Sequence, residues 1–143
     1  MYRTLIFAVL LLMLGGTHHI AAQNIASGQA VLHIYQKGSF GNGQYNLWIN
    51  GKMVVERFQA RSYFSIQVPA GSLQLRTAGL PKYFVAEKNF RLAVQAGQEY
   101  YLEAVVDYDF MSGSLYLVQR NAEDFKKRLK GLRLNEKAKT KLE

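Results

Sequence analysis

Cysteine is absent from all 143 residues. That absence excludes a disulfide scaffold, a thiolate zinc site, an iron–sulfur cluster and a cysteine nucleophile. It also excludes lipid attachment through a cysteine. Histidine is nearly as scarce: of three in the chain, His18 and His19 sit at the end of an N-terminal apolar segment. That leaves His33, and one histidine cannot supply the several ligands a His-based metal site needs. No apolar run reaches the roughly 20 residues of a membrane-spanning helix. There is no internal repeat and no low-complexity linker. What remains is 49% apolar and 13% aromatic, too much for a disordered polyelectrolyte and the size of one domain.

The N-terminus carries an export address. Arg3 gives a positive n-region, Leu5 to Leu14 is apolar, Gly15, Gly16 and Thr17 break the helix, and Ala21-Ala22-Gln23 offers small residues. Residues 1–22 therefore read as a secretory signal peptide, cleaved near Ala22. The expectation is an exported protein, periplasmic or secreted, with no transmembrane segment and no lipid anchor in the mature chain.

Charge is strongly segregated. Gln23 to Phe125 holds nine basic and eight acidic residues, whereas Lys126 to Glu143 holds eight basic and two acidic. The body is thus almost neutral, and the high pI belongs to the C-terminus. Nucleic acid is not expected as a partner of the folded part.

Short runs of alternating apolar and polar residues fill that body. Leu32 and Ile34 alternate with His33 and Tyr35. Tyr45, Leu47 and Ile49 share a face, and Asn50-Gly51 then separates this run from Lys52 to Phe58. Asn-Gly is the strongest short hairpin signal, because both central residues of a type I′ turn need positive φ. Phe64, Ile66 and Val68 lead into Pro69-Ala70-Gly71. Leu73 and Leu75, then Phe90, Leu92 and Val94, then Tyr100, Leu102, Ala104 and Val106 continue the pattern, and Gly113 to Gln119 closes it. Seven or eight such strands predict an all-β, antiparallel β-sandwich over residues 23–120. At the end, Asn121 is an N-cap, Glu123 and Asp124 occupy the first turn, and Phe125, Leu129 and Leu132 recur at helical spacing. A basic amphipathic helix is expected over 121–134, docked on the open end of the sandwich in preference to an anionic membrane surface, the alternative its charge and narrow apolar stripe leave open. A frayed basic tail is expected over 135–143.

The order of these motifs resembles the bacterial envelope family catalogued as domain of unknown function 2846. The segments that carry the resemblance are Asn50-Gly51 at a hairpin, Ser62-Tyr63-Phe64 running into Pro69-Ala70-Gly71, and Gly97-Gln98-Glu99-Tyr100-Tyr101, with the closing LYLVQRNAEDFKKRL. It spans about Ala30 to Leu129. The sequence departs from that family in the extra alanine of the Pro-Gly turn and in lacking the lipobox cysteine many relatives carry. A more distant similarity is to PEGA-type surface sandwiches. The resemblance implies a β-sandwich in the cell envelope and assigns no catalytic residue.

The residues themselves offer little for catalysis, and no catalytic, metal or cofactor site is assigned. His33 points away from Leu32 and Ile34, as a surface histidine would. Asp107 and Asp109 share a strand face but lack the glycine-bearing loop and bidentate glutamate of a calcium site. Glu99 and Glu103 lie roughly 13 Å apart on an extended strand, beyond the separation of glycosidase carboxylates. Glycines 38, 41 and 43 open no helix and form no phosphate loop. Tyr35, Trp48, Tyr63, Tyr101 and Tyr116 fall opposite the apolar faces, where they either form a binding platform or pack under a further layer. The candidate surface-binding residues are Tyr63 and Tyr101 on that face and Lys137, Lys139 and Lys141 in the tail. The expected role is a non-catalytic envelope interaction module, its partner an envelope protein or an anionic envelope polymer. A glycan- or polymer-binding module is the alternative, and a hydrolase with carboxylates from separate strands ranks third.

Overall fold

The structure is a computed structural model, and it describes residues 25–38, 44–79, 87–109 and 112–142. The signal-peptide segment, the loop at residues 39–43, Pro81 and the stretch from Tyr83 to Ala86 lie outside the described residues.

The alternating runs form strands β1 (Gln29–Gln36), β2 (Tyr45–Ile49), β3 (Lys52–Phe58), β4 (Ser62–Pro69), β5 (Gly71–Gly79), β6 (Lys88–Val94), β7 (Glu99–Asp109) and β8 (Ser112–Arg120), followed by helix α1 (Ala122–Leu129) and the short β9 (Arg133–Leu134). They build two sheets, one in the order β8-β7-β1-β4-β9 and one in the order β3-β2-β5-β6. The chain is an all-β sandwich. Two pairings run parallel, β1 with β7 and β4 with β9, and the others are antiparallel.

The core lies between the sheets. Leu32, Ile34, Phe64 and Ile66 from the first sheet meet Leu47, Ile49, Leu73 and Leu75 from the second, all almost fully buried. Phe58 and Phe64 meet edge-to-face across the layers, with ring centroids 5.4 Å apart. Tyr45 is buried as well, and burial pushes its hydroxyl up to about 12. The Asn50-Gly51 turn has φ of 50° and 77°, as a type I′ hairpin requires.

The C-terminus differs from the sequence expectation in three respects. The helix ends at Leu129, with Lys130 as its C-cap, so Leu132 falls in a turn and not on the helical stripe. It docks on the outer face of the five-stranded sheet and not on the end of the sandwich. The tail, expected to fray, instead forms a strap. The Arg133 amide donates to the Arg61 carbonyl and the Asn135 amide to the Tyr63 carbonyl, which adds β9 to the edge of β4. Further on, the Gln67 amide donates to Thr140, the Leu142 amide donates to Gln67, and the Lys139 amide donates to Val54 on β3. Leu142 is 8% exposed and joins the core. Residues 133–142 thus close the seam between the edge of one sheet, β4, and the edge of the other, β3. Backbone hydrogen bonding, indifferent to side-chain type, is the physical reason a lysine-rich segment is ordered here.

Candidate functional site

The outer face of the five-stranded sheet is laid out by the β1 register, which sets His33 beside Ser65 on β4 and Tyr101 on β7. The Val31 amide donates to Gln98 beside β7, so odd-numbered β1 residues bond toward β7. His33 and Ser65 are then a non-hydrogen-bonded antiparallel pair, the kind whose side chains approach most closely. Their contact is His33 Nδ1 to Ser65 Oγ at 2.7 Å. On the other side His33 Nε2 lies 3.4 Å from Glu99 Oε2 without hydrogen-bond alignment, and the Tyr101 hydroxyl donates to that same carboxylate oxygen at 2.6 Å. Tyr101 stacks on the imidazole at 4.9 Å and 13°.

Helix α1 covers this face. Asn121 accepts from the Asp124 amide and caps the helix, which directs Phe125 onto the sheet. The Phe125 ring sits 5.3 Å from His33, 5.4 Å from Tyr35, 6.2 Å from Tyr63 and 5.3 Å from Tyr101. Tyr35 is fully buried, and only 14% of the His33 side chain is exposed. The outward face assigned to His33 is correct, but it is not a surface position, because a layer lies over it. Tyr63 and Tyr101, the candidate platform, are brought together as the walls of the Phe125 socket and not as an open surface. Trp48 and Tyr116 are elsewhere: the Arg76 guanidinium lies 3.9 Å over Trp48, and Lys88 Nζ lies 5.0 Å from the Tyr116 ring.

The order Ser65, His33, Glu99 is the order of a hydrolase relay, but its setting differs. Ser65 is an interior residue of a regular strand, whereas a nucleophile elbow thrusts its Oγ out of a strained turn. The imidazole is roofed by Phe125. Among the described residues no group of three or more His, Asp or Glu side chains is placed to hold a metal ion.

Burial lowers the His33 pKa from its ordinary value of 6.5, and the neighbouring Glu99 carboxylate only partly opposes it. Burial and the bond to Glu99 push Tyr101 up to about 12. Below these lies Glu103, 6% exposed, with Lys37 Nζ at 2.6 Å and Arg120 Nε at 2.8 Å on its two oxygens. Burial opposes its ionisation, but those hydrogen bonds outweigh burial and hold the carboxyl below its ordinary range.

The sign of the pH dependence follows. A histidine depressed in the folded state binds protons more readily when unfolded. Its contribution to stability is complete above about pH 6.5, is lost as pH falls from there toward the folded-state pKa, and levels off below it. Stability of the wild type should therefore decline between about pH 7 and about pH 5, and His33→Gln should flatten that decline. The Glu103 contribution is lost only further into acid. Urea midpoints at the two pH values check this; equal slopes for both proteins would contradict it.

The second cluster is the strap. Lys137, Lys139 and Lys141 are all exposed on it, and Lys52 at the start of β3 shares a cleft with Lys139 and Lys141. Arg133 on β9, the exposed Lys126, Lys127 and Arg128 on α1, and its C-cap Lys130 extend the cationic surface. No family model matches this sequence, and no curated protein matches it either.

Proposed function

We propose that this protein is a non-catalytic interaction module of the bacterial cell envelope, exported by its N-terminal segment, and that its partner is polyanionic. The observation that carries the reading is the strap: Lys137, Lys139 and Lys141 hang from a backbone bonded to both sheets. Cations on a fixed segment give up less conformational freedom on binding than cations on a coil. The buried aromatic face supports the same reading, because Tyr63 and Tyr101 serve to seat α1 and leave the basic surface as the available one. Among the described residues no helix is long and apolar enough to cross a membrane.

The test is retention on an immobilised polyanion such as heparin. Each lysine near an anionic surface contributes about 1 kcal/mol at low salt. The variant Lys137→Gln/Lys139→Gln/Lys141→Gln should therefore bind roughly two powers of ten more weakly, and wild-type binding should weaken steeply as salt is raised. Unchanged elution of the triple variant would overturn the proposal.

A further inference from the structure

Two arginines occupy backbone positions that favour glycine. Arg57 and Arg61 both have φ of 56°, in the left-handed region that glycine enters without steric cost. Arg57 lies where the β2–β3 register slips by a residue, and its amide is caught by Asn46 Oδ1 at 2.9 Å. Arg61 lies in the turn into β4, and its carbonyl receives the Arg133 amide. At both positions the chain accepts strain and retains a guanidinium. Strain of this kind gathers at ligand-binding segments.

Arg57 lines one groove, and Ala60 and Ser62, on either side of Arg61, line it as well. It has a volume of about 660 Å³ and is lined by Arg57 from the β3 bulge, Arg133 from β9, and Asn135 and Lys137 from the strap, with Glu56 and Glu136 also in its wall. Arg57 Nε is only loosely paired with Glu56 Oε1, at 3.8 Å between two largely exposed side chains. Arg133 and Lys137 make no ion pair among the described residues. Three cations from three elements therefore face one space.

We infer that this groove seats a phosphate group, and that the polyanion bound by the strap is a phosphate-bearing polymer. The inference rests on the functional reading above. A carboxylate is planar and is satisfied by a single guanidinium fork. A phosphate directs its oxygens tetrahedrally, out of a single plane, so it can engage donors arriving from a bulge, a strand and a strap together. The two glutamates act against an anion. The groove thus offers a phosphate cationic donors from three elements, which have to outweigh the two carboxylates in the same wall.

The experiment compares binding of sodium polyphosphate and of polyglutamate of matched length to the mature chain at low salt, by calorimetric titration. Wild type should prefer polyphosphate. Arg57→Gly should lose roughly tenfold in polyphosphate affinity and only a few-fold in polyglutamate affinity, while melting at the same temperature or higher, since glycine relieves the positive φ. Lys139→Gln/Lys141→Gln, which leaves the groove lining intact, should weaken both polymers alike. Equal wild-type affinity for the two polymers would overturn the phosphate inference and leave the polyanion reading standing, as would wild-type polyphosphate binding by Arg57→Gly. Failure of wild type to bind either polymer would overturn both.

Discussion

Phe125→Ala is expected to destabilise the protein by about 3–5 kcal/mol, the usual range for truncating a buried aromatic. Phe125 is 7% exposed and is the one buried residue of α1. Its ring fills a socket made by His33, Tyr35, Tyr63 and Tyr101. The helix has eight residues, too few to persist in water by itself. Without the ring, α1 has little to hold it, and Tyr35 and His33 are left facing water. Domains of this size have total stabilities of about 5–15 kcal/mol, so the loss is a large fraction of the whole. Thermal unfolding should show a fall of roughly 15 °C or more. A shift of only a few degrees would mean that α1 contributes little and that the outer face is held by the sheet alone.

Truncation after Asn135 has the second large effect. It removes the backbone bonds at Lys139, Thr140 and Leu142 and takes Leu142 out of the core. Leu142→Ala by itself should cost about 2 kcal/mol, at the low end for leucine because the residue lies near the chain end. The truncated chain should lose more than that point variant, since it also uncovers the edges of β3 and β4. Uncovered strand edges pair with other chains. The truncated protein should therefore melt lower and self-associate with rising concentration, which chemical denaturation and light scattering together would show. A monomer as stable as the full chain would contradict the role given to the strap.

The strands were legible because each is half-buried and announces itself by alternation. Leu32 and Ile34 against His33 and Tyr35 suffice to place β1 and its faces. Asn50-Gly51 was legible because few residue pairs tolerate that turn. The helix start was legible from Asn121 and its acidic first turn. Its end was not, because Leu132 continues the 3.6-residue spacing although the chain has turned at Lys130 and Gly131 to bring Arg133 to β4. The strap was hidden for a related reason. It is held by main-chain groups that every residue carries and by the side chains of Ala138 and Leu142, so its lysines suggest solvent and conceal the pairing. His33 was placed on the correct face, but nothing in β1 records that a helix some 90 positions later covers it. A signal was present all the same. Tyr35, Tyr63 and Tyr101 on one outward face, opposite a lone Phe125 on a short helix, form a socket and a plug once the sheet order is known. The bulge at Arg57 carried no sequence signal, since arginine is the opposite of what positive φ suggests.

The strap is part of the fold through its main-chain bonds to β3 and β4. Native-state amide hydrogen exchange measures that directly at Lys139 and Leu142, whose amides donate to Val54 and Gln67 at 2.8 and 2.9 Å. Both amides are expected to exchange far more slowly than those of an unstructured chain, with protection that falls in the Leu142→Ala variant. Exchange of both amides at the rate of an unstructured peptide would contradict it.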